Sequence, residues 1–309
     1  MIINDEKGVT MRDSVKKIEN EYISDFFNLR EDTISFEVYP PKKGQKKQFE
    51  IIQNTIKRLK DLDPAFISVT YGPGGTNKGK AVDISEYIKK HDMTPLAHLT
   101  SVGYTKEDIQ PILEKLSSIG VKNILALRGD VPQNVIFPHG AWCDFRYAKD
   151  LISIIKRDGR FCIGAAAYPE GHPDCKDLKI SIDHLKTKIE AGADFFITQM
   201  FFDNQLYFDF LNRVKDAGIH KPIIPGIMPV LRAKQISKIL ALSDAYVPKK
   251  LSEAIQKYAD HPDAMEAYGI EYTLRQIDGL KHQGINRFHI YTMNRWEQVT
   301  KIIQLAQLK

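Results

Sequence analysis

Five times along this chain an amphipathic stretch ends in glycine and a short apolar run follows. The instances are SSIGVKNILAL (Gly120), KRDGRFCIGAA (Gly159), EAGADFFIT (Gly192), KDAGIHKPIIPG (Gly218) and KHQGINRFHIY (Gly284). A glycine just past a helix can take the left-handed conformation that ends it, with no Cβ penalty. The runs that follow are rich in Ile, Phe and Val and do not alternate strictly, which suits strands buried on both faces of a parallel sheet. Three earlier runs, TISFEVY (33–39), AFISVTY (65–71) and TPLAHLT (94–100), extend the series. The expected strands are therefore 33–39, 65–71, 94–100, 122–128, 161–167, 194–200, 222–227 and 286–291. Helical patterns lie between them, among them about 45–61, 82–91 and 105–118, and the last runs over about 295–307.

Eight strand–helix alternations in a row predict an α/β fold of the closed (β/α)8 TIM-barrel kind rather than an open doubly wound sheet. No GxGxxG follows an early strand, as a dinucleotide-binding sheet would require. The 309 residues suit one barrel with additions. Residues 1–32 are expected to form an N-terminal helical extension, with a helix over about 11–29 covering the barrel bottom, and 33–309 the barrel. The long stretch 232–283, before the last strand, should hold two or three extra helices.

Composition narrows the function classes. There is no apolar run of membrane-spanning length, and the polar N-terminus has no secretory core. Cys143, Cys162 and Cys175 stand alone, without metal-ligand or disulfide spacing, which reads as reduced thiols of a cytoplasmic protein with structural roles. The net charge of +5 is spread over short lysine pairs of the kind helix surfaces carry, with no stripe for nucleic acid.

In a barrel the site lies at the carboxyl ends of the strands. Those ends present Glu37, Thr70, Tyr71, His98, Arg128, Gly129, Asp130, Tyr168, His172, Gln199 and Tyr291. Polar groups there need partners or a ligand, since barrel interiors are otherwise apolar. The set is wide and poor in carboxylates, which favours a large ligand over a metal. Taken singly, each residue has a plainer reading. Glu37 would more often be a salt-bridged strand end than a catalyst, His98 and His172 ordinary polar histidines, Asp130 a turn residue and Phe201-Phe202 core packing.

Eight segments in order change that balance: SFEVYPP (35–41), VTYGPGG (69–75), HLT (98–100), LRGD (127–130), AYPEGHP (167–173), ITQMFF (197–202), PGIMP (225–229) and HIYTMNR (289–295). Each is weak alone; together they closely resemble methylenetetrahydrofolate reductases of the bacterial type, from about residue 33 onward. The resemblance implies the catalytic barrel alone, without the regulatory domain of the eukaryotic members.

It further implies FAD at the barrel mouth, reduced by NADH or NADPH, with methylenetetrahydrofolate binding the same face in ping-pong order and its product feeding methionine synthesis. By motif position, Tyr71, His98, Arg128, Gly129 and Asp130 would contact FAD, as would Tyr147, Ala148, Tyr168, His172 and Lys188. Arg and Lys suit its pyrophosphate. Asp130 would also bind folate and tune hydride transfer. Gln199, Gln235 and Arg295 match folate-binding positions, and Thr70 and Gln199 nicotinamide-binding ones. Glu37 matches the catalytic acid, whose pKa a partly desolvated mouth could raise. Ser181 departs from the family, which often has an acidic residue there. No metal is implied, and the sequence leaves a homo-oligomer open. Two rivals stand beside this reading: a flavin-free barrel that transfers a folate-borne one-carbon group, and a non-catalytic folate- or flavin-binding subunit.

Overall fold

In the computed structural model, residues 21–41, 46–71, 78–131, 140–141, 144–175, 177–243 and 245–308 are described. A short helix α1 (Ile23–Leu29) precedes the first strand. Then come β1 (Thr33–Val38), α2 (Lys46–Lys60), β2 (Phe66–Val69), α3 (Lys78–Lys90), β3 (Pro95–Thr100), α4 (Lys106–Ser118) and β4 (Asn123–Leu127). The chain continues through α5 (Ala148–Asp158), β5 (Cys162–Ala167), α6 (Leu178–Ala191), β6 (Phe195–Thr198) and α7 (Asn204–Asp216). Two short strands, β7 (Ile223–Ile224) and β8 (Gly226–Ile227), lead into helices α8 (Ala233–Ser243), α9 (Lys249–Lys257) and α10 (Pro262–His282). Strand β9 (Arg287–Tyr291) and helix α11 (Trp296–Leu305) finish the fold. All five helix-ending glycines have positive φ, between 72° and 120°.

All strand pairs are parallel, in the order β7-β6-β5-β4-β3-β2-β1-β9-β8. The expected seventh strand, 222–227, is split at Pro225, which has no N–H to give the ladder. Its first half pairs with β6 and its second with β9, and the covalent continuity of the two halves closes the barrel. At this seam Gly226 N donates to Thr198 Oγ1 (2.9 Å). A Cβ on Gly226 would sit 2.4 Å from Thr198 O and 2.6 Å from the Tyr291 hydroxyl, so only glycine fits.

Alternation along the strands separates two cores. Ile34, Phe36 and Val38 of β1, with Ile67 and Val69 of β2, face the helices in the main cluster. Phe66, Leu96, Leu125, Cys162, Phe195, Ile197 and Ile224 fill the lower barrel interior, where Ile23 and Phe27 of α1 join them. The Phe27 ring meets Phe195 edge-on at 5.5 Å and Phe66 at 6.5 Å. Asn123 accepts from Ile23 N (2.8 Å), and Arg287 donates to the carbonyls of Phe27 and Arg30 at the other end of the helix. A seven-residue helix is not stable alone; this docking holds α1 as a plug beneath the barrel. Of the helix expected over about 11–29, Ile23–Leu29 is helical and Tyr22 is extended, while 11–20 lie outside the described residues.

The stretch before β9 holds three helices. Gly269 brings α10 against Val230, whose carbonyl would lie 1.9 Å from an added Cβ. Tyr272 and Gln276 of α10 donate to the carbonyls of Phe202 and Phe201. Phe201 itself stacks on Tyr207 at 5.0 Å in the core, the plainer of the two readings for that pair. Among the described residues, no helix is long and apolar enough to cross a membrane.

Candidate active site

The carboxyl ends of the strands carry two groups of polar side chains. The first surrounds Glu37, the last inward position of β1 and buried at 7% exposure. Its Oε2 lies 3.5 Å from His98 Nε2 on β3 and 3.8 Å from His289 Nε2 on β9, contacts too long for good hydrogen bonds. Ser35 Oγ and Ser68 Oγ pair with His289 Nδ1 (2.8 Å) and Nε2 (3.3 Å), and Phe66 stacks under its ring.

Burial works against the Glu37 charge. Its neighbours His289 and then His98 outweigh it, and hold the carboxyl below its ordinary range. This corrects the expectation of a raised pKa: without ligand, Glu37 is a carboxylate. Sequence reasoning missed His289 because it read only the carboxyl ends of the strands, and His289 lies in the middle of β9. The signal for His289 was the alternation Arg287, His289, Tyr291 against buried Phe288 and Ile290.

Burial pushes the His98 imidazole down to about 4 from 6.5. Unfolded chains take up that proton near 6.5, while the native state refuses it until about 4. Stability should therefore fall as pH drops through this window, by about 3 kcal/mol in all. Urea unfolding of the wild type and His98→Asn between pH 7 and 4 checks it; equal acid losses in both would refute it.

The second group is cationic. Arg128, at the end of β4, donates to Asp174 (2.7 Å) in the loop after β5. Gly129 follows at φ +81°, where a Cβ would meet Thr100 and Val102 at 2.9 Å, so the turn passes tight over β3. Lys188 reaches from α6 to the Ala166 carbonyl (2.7 Å) and over the Tyr168 ring (5.6 Å). Among the described residues no carboxylate pairs with it, and burial, then the Arg128 charge, lower it to about 8. Tyr168 meets His172 edge-on at 4.7 Å. Burial and the nearby Asp130 charge push the Tyr168 phenol up to about 12, and burial followed by Arg128 lowers His172. Asp130 itself is exposed.

The remaining expected residues are less uniformly placed. Thr70 and Gln199 end β2 and β6 half-buried, the Gln199 Oε1 accepting from Met200 N (2.9 Å). Arg295 is the half-buried N-cap of α11, and Gln235 lies half-buried in the first turn of α8. Tyr147, 45% exposed, caps α5 ahead of Ala148, with Asp150 accepting from its backbone N–H. Tyr71 is set apart: its ring lies in the helix-facing core and its hydroxyl bonds to Tyr104 (3.0 Å). Ser181 is buried in the first turn of α6 with its hydroxyl unpartnered.

Two further polar atoms at this face are buried without a hydrogen-bond partner: Thr100 Oγ1 and His98 Nε2. Such atoms cost free energy unless a ligand meets them. Among the described residues, no group of three His, Cys, Asp or Glu side chains is placed to hold a metal ion. The arrangement can bind an anion at Arg128 and Lys188 and exchange a proton at Glu37.

The strand order and the polar groups gathered at the strand ends define the class: a closed (β/α)8 barrel with a candidate site at its mouth. The family model for methylenetetrahydrofolate reductase matches residues 23–307. The 5,10-methylenetetrahydrofolate reductase of Pectobacterium carotovorum is 36% identical over 85% of this chain and 86% of its own length. That of Escherichia coli is 34% identical over 85% and 87%. Among solved structures, a Clostridium thermocellum protein described as binding two copies of 5-methyl-5,6,7,8-tetrahydrofolic acid has a TM-score of 0.69 at 17% identity. It covers 92% of this chain and 98% of that one, a likeness of fold. The chain belongs to the methylenetetrahydrofolate reductase family, oxidoreductases of folate one-carbon metabolism.

Proposed function

We propose that this chain holds FAD at its barrel mouth and uses NADH or NADPH to reduce 5,10-methylenetetrahydrofolate to 5-methyltetrahydrofolate, in two half-reactions on one face. Residues 33–309 are the catalytic barrel and 1–32 an N-terminal extension, of which α1 lies beneath it. The product supplies methyl groups for methionine synthesis in the cytoplasm. The observation that carries the reading is one mouth, in a chain of this family, holding both a buried carboxyl and a cation pair.

The residues present fit FAD. Arg128 and Lys188 offer charge-assisted bonds to a pyrophosphate, and a phosphate would relieve the burial of Lys188. Tyr168, His172 and Gly129 border the same region, Tyr147 and Ala148 would add contacts from the start of α5, and Thr100 and His98 have polar atoms to give. Tyr71 would contribute through its backbone. Bound there, FAD would store two electrons between the two substrates.

Glu37 is the proton donor that opens the folate ring. It is a carboxylate in the free site, so its protonation is coupled to substrate seating: a pterin closing over it adds to the desolvation that already opposes the charge. Asp130, exposed at the rim beside Tyr168, binds folate and tunes hydride transfer; Gln199, Gln235 and Arg295 hold the folate, and Thr70 and Gln199 the nicotinamide.

Because Gln199 serves both substrates, Gln199→Ala should slow both half-reactions, and wild-type double-reciprocal plots should be parallel. Intersecting lines would mean a ternary complex. A colourless, active protein would favour the flavin-free transferase, and one that binds without turnover the non-catalytic subunit.

A further inference from the structure

We propose that Asp174 is a positioning residue for the phosphate-binding edge of the mouth: it holds the Arg128 guanidinium and fixes the His172 tautomer, so that both present N–H donors to one ligand. On the proposed function, on which this rests, that ligand is the FAD diphosphate.

A tight turn in the loop after β5 carries Asp174. In His172-Pro173-Asp174-Cys175 the Cys175 N–H donates to the His172 carbonyl (2.7 Å). Proline stands at the second position, where its fixed φ favours a turn. The turn folds Asp174 back toward the strand ends, where its Oδ2 accepts from Arg128 Nη2 at 2.7 Å. Its backbone N–H donates to His172 Nδ1 at 3.1 Å.

The second of these bonds decides the tautomer. A ring nitrogen that accepts carries no proton, and a neutral imidazole has only one, so Nε2 bears it. Burial, then the Arg128 charge, hold His172 below its ordinary range, so the ring is neutral near neutrality. Among the described residues nothing accepts from Nε2. The charged groups around the ring are Arg128, Asp174, Lys188 and Asp130, and Tyr168 meets it edge-on. The Arg128–Asp174 pair adds little to stability, because the Asp174 side chain is 65% exposed. What it gives is orientation: the end of a long cationic side chain is held in one direction before the ligand arrives.

Asp174→Asn and Asp174→Ala both remove the charge, and only asparagine keeps an acceptor for Arg128. Both should melt where the wild type does. Asp174→Asn should hold FAD at least as tightly as the wild type, since a negative charge near the diphosphate is gone. Asp174→Ala should hold it about tenfold less tightly than Asp174→Asn, the scale of one hydrogen bond to a charged group. Imidazole nitrogen NMR of the ligand-free protein should show a neutral Nε2–H ring, with the His172 signals assigned by their loss in His172→Gln. Equal FAD affinity in the two variants would mean that phosphate simply displaces Asp174, and an Nδ1–H ring that the turn does not set the tautomer; either overturns the proposal. Inorganic pyrophosphate, titrated calorimetrically into the flavin-free chain, separates this role from the cofactor assignment. If the wild type takes no FAD, the proposed function fails, while the same tenfold ratio for pyrophosphate still upholds Asp174. A chain that binds neither overturns both.

Discussion

Glu37→Gln is expected to keep its flavin and its reduction by NADH at close to the normal rate, while reoxidation by methylenetetrahydrofolate falls by about 10²–10⁴-fold. Hydride transfer from a nicotinamide to a flavin needs no proton from the enzyme; opening the folate ring does. The amide is nearly isosteric, so the surroundings of the site are preserved. It cannot give up a proton at the required step. Stopped-flow measurement of each half-reaction separates the roles. Equal losses in both would make Glu37 only a support of the barrel mouth, and no loss in either would remove it from the chemistry.

Lys188→Met should raise stability and weaken FAD retention together. Holding the ammonium at the mouth costs the ligand-free protein up to about 3 kcal/mol, from a shift of 10.5 to about 8. Below pH 8 the penalty is present in full. It is relieved as pH rises from about 8 to 10.5, because there the native state has released a proton that the unfolded chain still holds. Methionine keeps the stem's packing and removes the charge, at the expense of the bond to Ala166 O. The variant should therefore melt higher at pH 7, with the gain shrinking toward pH 10.5. A phosphate-bearing ligand loses a charge-assisted bond, so FAD should dissociate more readily by roughly 10–100-fold. A variant that is less stable yet holds FAD as tightly would show that the lysine is structural. This opposition between stability and binding is common where a site is built before its ligand arrives.

The barrel was legible because its punctuation is local. A glycine with positive φ ends each of five helices, and the apolar runs that follow became strands within one or two residues of expectation. Where reading failed, the cause was a neighbour distant in sequence or a wrong phase. Pro225 sits in an apolar run, and only the pairing of each half with a different strand shows the break. Helix α3 begins at Lys78, four residues before expectation, because Lys78–Ala81 carries little apolar signal.

In the site, counting by twos from Ile67 and Val69 puts Tyr71 on the helix-facing side, and that signal was present in the sequence. The same count would have found His289. The lowered pKa of Glu37 was not available to any local reading. It depends on His98 and His289, which lie 61 and 252 residues further along the chain and meet Glu37 only when the barrel closes.

The most direct test is an anaerobic titration of the purified chain, first with NADH or NADPH and then with methylenetetrahydrofolate. The account predicts a yellow protein whose flavin absorbance is bleached by one equivalent of reduced nicotinamide. Colour should return on adding the folate, with one equivalent of 5-methyltetrahydrofolate formed. A protein that binds FAD but is not bleached by either nicotinamide, or is bleached and not recoloured by the folate, would contradict it.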